Sequence, residues 1–245
     1  MRNIEQALLE HKQAVLAAGF KEENLLGIFL YGSQNYGTET EDSDVDTKAI
    51  IIPTFEELVF NRPVSKELTL PNNEHCEIKD IREIVNNFRK QNINFIEILY
   101  TDYFWLNSKF GDIWYSFFVD IRENISHYDV QKCVQSISHQ ALHTIRQDRN
   151  NPKKISNARR LQLFLDLYSC GFQYIDCLVP VGHDKLVIME LKKGIYKYSD
   201  KTIDNMIKHF EDFTKTELKI SEKVQNEIDK RMNDGIIALI KRNLN

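Results

Sequence analysis

The chain has 245 residues, of which 42% are hydrophobic and 28% charged, with a formal net charge of −4 at pH 7. That length is enough to bury a sizeable core in one large or two small domains, and the mild acidic balance argues against a protein that coats nucleic acid by bulk electrostatics, while leaving room for a local basic patch. No apolar run approaches the ~20 residues that span a bilayer. The cysteines Cys76, Cys133, Cys170 and Cys177 contain no C-x-x-C pair and the N-terminal stretch does not resemble a secretory signal, so the expectation is a soluble protein of the reduced cytoplasm with no membrane partner.

In chain order, Ile4, Ala7, Leu8 and Val15 share one face of a first helix. Strands are predicted over residues 27–32 and 44–52, joined by a tight polar connection, with a short strand near 75–79. A helix over residues 81–92 carries Ile81, Ile84, Val85 and Phe88 on one side, with Asp80 as its N-cap. From about residue 128 only helices are predicted. Val130, Val134, Ile137, Ala141 and Ile145 form one stripe, Pro152 breaks it, and a more completely apolar helix covers residues 155–172. Segments 186–191, 202–213 and 224–240 complete the set. The fold class is therefore α+β, a small mixed sheet with flanking helices followed by an all-α part, with the junction near residue 127 and no internal repeat.

The stretch YGSQNYGTETEDSDVD, residues 31–46, admits three readings. Gly32 and Gly37 have the spacing of a P-loop, but Thr38 and Glu39 follow where that motif needs Lys and then Ser or Thr. Asp42, Asp44 and Asp46 alternate as in an EF-hand, but Thr47 replaces the sharp-turn glycine and Pro53 the bidentate glutamate. In the third reading Asp44 and Asp46 lie on a strand. Residues two apart point to the same face, so the two carboxylates stand side by side, and Mg²⁺ between them keeps both ionised. Gly32 permits close backbone approach. If residues 34–37 open a short helix, its free N–H groups and the Ser33 hydroxyl cradle a triphosphate. A phosphate cradle facing paired carboxylates is a phosphoryl-transfer site.

Gly32-Ser33, followed twelve residues after Gly32 by Asp44-Val45-Asp46, resembles the signature of the DNA polymerase beta nucleotidyltransferase superfamily. More narrowly, YGSQNYGTETEDSDVDTKAI, HCEIKDIREI, NINFIEIL and KKISNARRLQLFLDLYSCG resemble bacterial and phage nucleotidyltransferases associated with RNA-repair operons. The resemblance implies a catalytic domain over residues 1–127 and a helical substrate- and nucleotide-binding domain over 128–245. It also implies transfer of a nucleoside monophosphate from an NTP such as ATP to an acceptor hydroxyl, with two Mg²⁺ or Mn²⁺ ions and release of pyrophosphate. Such enzymes use a third carboxylate on a neighbouring strand. In EHCEIKDI, Cys76 and Ile78 alternate inward and leave His75, Glu77 and Lys79 on the other face. Glu77 is taken as the third metal ligand and general base, with Glu74 and Asp80 as nearby alternatives.

Between Arg146 and Arg160 lie six cations, Arg146, Arg149, Lys153, Lys154, Arg159 and Arg160, against the single acid Asp148. Lys153, Lys154 and Arg159 match basic positions of the resembled group, and are expected to touch the nucleotide phosphates or an acceptor strand. Lys48 shares the face of Asp44 and Asp46, where it either neutralises them or touches a phosphate. Glu97 is either a structural pair or a substrate contact. His139 and His143, in H-Q-A-L-H, lack the glutamate of a zinc-protease motif and read as ordinary surface histidines. The motif does not itself reveal the acceptor; the expectation from the resemblance is an RNA or tRNA end. The alternative is a nucleotidyl-modifying, AMPylating-type antitoxin, or a nucleotide-binding regulator, that acts on a protein or small molecule.

Overall fold

The structure is a computed structural model that describes residues 2–41, 43–215, 217 and 221–245. Its sheet contains β1 (Leu25–Tyr31), β2 (Asp46–Ile51), β3 (Ser65–Thr69), β4 (His75–Asp80) and β5 (Phe104–Leu106), in the spatial order β3-β4-β2-β1-β5. β1 runs antiparallel to β2 and β5, whereas β4 is parallel to β2 and antiparallel to β3. β1 and β2 are buried along almost their whole length because both faces of the sheet are covered. β3, the sequence Ser-Lys-Glu-Leu-Thr, is a polar and largely exposed edge, which blunts pairing with other chains.

One face of the sheet, with Ile28, Ala49, Ile51, Cys76 and Ile78, packs on Leu8 and Val15 of helix α1 (Ile4–Ala17). The other face, with Leu26, Phe29 and Ile50, packs on Ile81, Ile84, Val85 and Phe88 of α3 (Ile81–Arg89). Asp80 caps α3 by accepting the Arg82 N–H at 2.8 Å, as its position before an apolar helical stripe predicts. A short α2 (Phe55–Val59) precedes β3, and α4 (Ile93–Ile96), α5 (Gly111–Trp114), a π-helical turn at Tyr115–Val119 and α6 (Arg122–Ser126) lead into the helical part.

That part comprises α7 (Val130–Gln147), α8 (Pro152–Ser169), α9 (Tyr174–Leu178), α10 (Gly182–Lys192), α11 (Asp200–Thr214) and α12 (Glu222–Leu244). The predicted stripe of α7 is buried. Pro152 starts α8 rather than merely breaking α7, because a proline at the first helical position has no N–H to leave unpaired, and Asn151 caps the helix at Lys153 and Lys154. The apolar core is continuous from Leu26 and Phe29 of the sheet through Ile125 and Cys133 to Leu239, and so crosses the expected junction near residue 127. No helix among the described residues is long and apolar enough to cross a membrane.

Two predicted bounds shift for local reasons. α3 stops at Arg89 rather than 92, since Gln91 takes a left-handed φ of 53° and its side chain donates to the Phe88 and Ile125 carbonyls, both at 2.8 Å. β2 begins at Asp46, which leaves Asp44 on the preceding loop.

Candidate active site

β1 ends at Tyr31, and the chain turns at once through Gly32, whose φ of +83° lies in the left-handed region that a glycine enters without a Cβ clash. Residues 34–37 do not form the predicted helix. Gly32 and Gly37 (φ +69°) both leave right-handed helical space, and the segment closes as successive turns, with the Asn35 N–H on the Gly32 carbonyl at 2.9 Å and the Thr38 N–H on the Ser33 carbonyl at 3.0 Å.

Val45 is buried against Ala7 and Leu30 on the α1 side of the sheet. Asp46, the next residue and the first of β2, therefore points to the opposite side, and Asp44 stands on the loop near enough for its charge to act on Asp46. Asp44 is exposed. Asp46 is half-buried, and its Oδ1 is sequestered without a hydrogen-bond partner. Burial pushes the Asp46 carboxyl up from its ordinary range against a hydrogen bond from the His75 backbone, and the charge of Asp44 adds to the rise. A Cβ on Gly32 would stand 3.9 Å from Asp46 Oδ2. An orphaned carboxylate oxygen beside a second carboxylate suits a hard divalent cation such as Mg²⁺.

Glu77 is in a different situation. The parallel register pairs it with Lys48, whose Nζ lies 2.5 Å from Glu77 Oε2, while Lys79 Nζ lies 3.2 Å from Oε1. Lys48 is 1% exposed, with its ammonium 3.9 Å from the Tyr31 ring centroid and 4.0 Å from that of Phe95. Burial raises the Glu77 pKa, but the charges of Lys48 and Lys79 outweigh it and hold the carboxyl below its ordinary value. Burial lowers the Lys48 pKa, and Glu77 opposes that. Among the described residues no three His, Cys, Asp or Glu side chains converge to hold a metal ion. The alternatives to Glu77 have other work. Glu74 is bound by Arg2 at 3.0 Å and by His11 at 3.1 Å on the α1 side, and Asp80 caps α3.

On the other flank of the turn, Ser33, Tyr36 and Thr38 line a narrow pocket with Lys153, Asn157 and Arg160 of α8 and Lys192 of α10. Arg160 is 4% exposed and lies 4.1 Å from the Tyr36 ring centroid. Its Nη2 donates to Asn157 at 3.2 Å, but Nε and Nη1 are buried with no partner. Lys192 Nζ donates to the Thr38 carbonyl at 2.8 Å and to Ser43 Oγ at 3.1 Å, which ties the aspartate loop to α10. Beneath the turn, Glu97 Oε1 accepts the Gly32 N–H.

Of the expected phosphate contacts, only Lys153 lies with Ser33. Lys154 Nζ donates to Gln147 at 3.1 Å, and Arg159 Nη2 lies 2.7 Å from Asp184. Arg159 lines a larger cleft of about 760 Å³ with His183, Tyr196, Tyr198 and His209, which contains none of the turn residues. Arg146 pairs with Glu211 at 2.9 Å, and Arg149 with Asp204 at 3.0 Å. The expected histidine pair is exposed on α7, where His143 contacts Gln147. Arg160 and Lys192 are the site residues that motif reading missed. Arg160 stood within the basic run, but choosing it over Arg159 requires the rotational setting of α8, and nothing local marks Lys192.

No protein-family model and no curated protein matches the chain. Among solved structures it is similar to a nucleotidyltransferase-like protein from Exiguobacterium sibiricum 255-15, with a TM-score of 0.36 and 11% identity, over 98% of this chain and 75% of that one. The functional reading therefore comes from the site's own residues.

Proposed function

We propose that this chain is a nucleotidyltransferase of the DNA polymerase beta type, which binds a nucleoside triphosphate with a divalent cation and transfers the nucleoside monophosphate to an acceptor hydroxyl. The observation that carries this reading is a juxtaposition across one glycine. Asp46, whose Oδ1 has no hydrogen-bond partner, has its other carboxylate oxygen 3.9 Å from where a Gly32 Cβ would stand, and Ser33, the next residue of the turn, shares a pocket with Arg160, whose Nε and Nη1 are likewise without partners. Buried polar groups are ordinarily paired, so a cation seat and an anion seat left open side by side suit a metal-bound polyphosphate.

Asp44 and Asp46 would hold Mg²⁺ or Mn²⁺, which supplies charge neutralisation and a lowered pKa to a bound hydroxyl. Ser33 and the turn orient the triphosphate, and Arg160, Lys153 and Lys192 draw charge toward the β- and γ-phosphates. The acceptor hydroxyl gives up its proton to solvent as its oxygen attacks the α-phosphorus in line, the bond from that phosphorus to the α,β-bridging oxygen breaks, and pyrophosphate departs toward Arg160. Positioning and electrostatic stabilisation supply most of the catalysis.

The acceptor reading turns on the basic run. Within residues 146–160, Arg146, Arg149 and Arg159 each face an acid, so this run offers an interrupted rather than a continuous line of free cations to a phosphate backbone. This favours a protein or small-molecule acceptor, as in the AMPylating alternative, over an RNA or tRNA end. Incubation with each α-labelled NTP, Mg²⁺ and separated cellular RNA, protein and small-molecule pools tests it. Label in the protein or small-molecule pool is expected, and label confined to RNA would reverse the choice of acceptor.

A further inference from the structure

We infer that Lys48 stands in place of a metal ion at Glu77, so that the site takes one divalent cation, on Asp44 and Asp46, and Glu77 is a positioning residue. The inference rests on the nucleotide-site reading above and departs from the two-ion arrangement that the sequence resemblance implies.

Three features converge on it. Lys48 and Glu77 are direct partners in the parallel register of β2 and β4, so their pairing is built into the sheet rather than made by a mobile side chain. Both Glu77 oxygens are engaged, one by Lys48 at 2.5 Å and the other by Lys79 at 3.2 Å, whereas Asp46 Oδ1 is unengaged. The Lys48 ammonium is also enclosed, with the rings of Tyr31 and Phe95 at 3.9 and 4.0 Å, and the side chain is 2% exposed. A metal ion that recruited Glu77 would leave that ammonium buried without its counter-charge, which is among the most unfavourable exchanges a core can make.

Glu77 already faces two cations, Lys48 and Lys79, so a metal ion there would bring further positive charge to a carboxylate that is already neutralised. The pair also has a mechanical role. Tyr31, whose ring covers Lys48, is the residue before Gly32 and is paired with Asp46. Lys48 thus braces the strand end from which both the phosphate turn and the metal-binding carboxylate project.

The test is Mn²⁺ binding to the full chain, read from the free-ion electron paramagnetic resonance signal, with and without α,β-methylene-ATP as a non-transferable nucleotide. The expected stoichiometry is one Mn²⁺ per chain in both conditions. Glu77→Gln, which keeps an acceptor for Lys48 and whose fold is checked by thermal melting because the counter-charge is lost, should still bind one Mn²⁺ per chain, at an affinity lowered by no more than the ~10–100-fold typical of an outer-shell partner. Lys48→Met, with its fold checked by thermal melting, should gain a second, weaker Mn²⁺ on Glu77. Two Mn²⁺ on the unaltered chain, or no bound Mn²⁺ on a folded Glu77→Gln chain, would overturn the inference while leaving the nucleotide site standing. Unchanged Mn²⁺ binding in Asp46→Asn would instead overturn the site itself.

Discussion

Glu97 Oε1 accepts the backbone N–H of Gly32 at 3.1 Å from within the core, so a nearly inaccessible carboxylate holds the turn on which the proposed nucleotide phosphates rest. Burial pushes this carboxyl up to about 7, against the opposing influence of Arg160, the Gly32 N–H and Lys48. The native state therefore keeps the Glu97 proton to higher pH than the unfolded chain does. The associated stability is full below the ordinary pKa of 4.5 and is lost as pH rises through about 7. Chemical denaturation across that window should show stability falling with pH by on the order of 3 kcal/mol from this group, and Glu97→Gln, which keeps the acceptor, should flatten the slope.

Gly32→Ala should weaken nucleotide binding more than it lowers stability. The left-handed φ of +83° penalises any Cβ, by about 1–2 kcal/mol, and that Cβ would also enter the space beside Asp46. Calorimetric titration with an NTP and Mg²⁺ checks this. Unchanged affinity would place the phosphate cradle elsewhere.

Arg159 and Arg160 are adjacent in sequence and should behave oppositely. Arg160→Gln removes the unpartnered N–H donors of the pocket and should weaken pyrophosphate binding by roughly ten- to a hundredfold, the worth of a charged hydrogen bond. Arg159→Gln breaks the pair with Asp184 and should leave pyrophosphate affinity within about a factor of two, since partly exposed pairs contribute little. Pyrophosphate titration of the two variants, side by side, reads both.

The contrast between these arginines shows where sequence reading stops. The strand-turn-strand around Gly32, the alternation that puts Glu77 opposite Cys76, and the Asp80 cap all follow from local rules of period and capping, whereas Asp44, expected on the strand with Asp46, lies on the loop before it. β5 is three residues long, Phe104–Leu106, and exists because it pairs with β1, a contact no local pattern encodes. Lys48 is ambiguous in the sequence for the same reason. Period two puts its side chain on the face of Asp46, but its partner Glu77 comes from a strand whose register with β2 is a tertiary fact. Lys192 reaches the loop at Thr38 from α10, more than a hundred and fifty residues away in sequence.

Packing of the last helix offers a test of the fold itself. Glycine inside a helix is usually about 1 kcal/mol less favourable than alanine, so Gly235→Ala would ordinarily stabilise α12. Here a Cβ would lie 2.7 Å from Phe117 Cβ and 2.9 Å from Phe118 Cζ in the π-helical turn. Overpacking of this kind typically costs ~1–3 kcal/mol, and the melting temperature should fall rather than rise.

The central claim is that Asp44, Asp46 and the Gly32 turn perform chemistry at the α-phosphorus of a nucleoside triphosphate. The most direct measurement supplies the protein with Mg²⁺, cellular acceptor pools and ATP labelled in parallel reactions at the α- or the γ-phosphate, and repeats both with Asp46→Asn. The account predicts that α-label becomes attached to an acceptor, that γ-label leaves as pyrophosphate, and that the variant does neither. Attachment of γ-label, or undiminished α-transfer by Asp46→Asn, would contradict it.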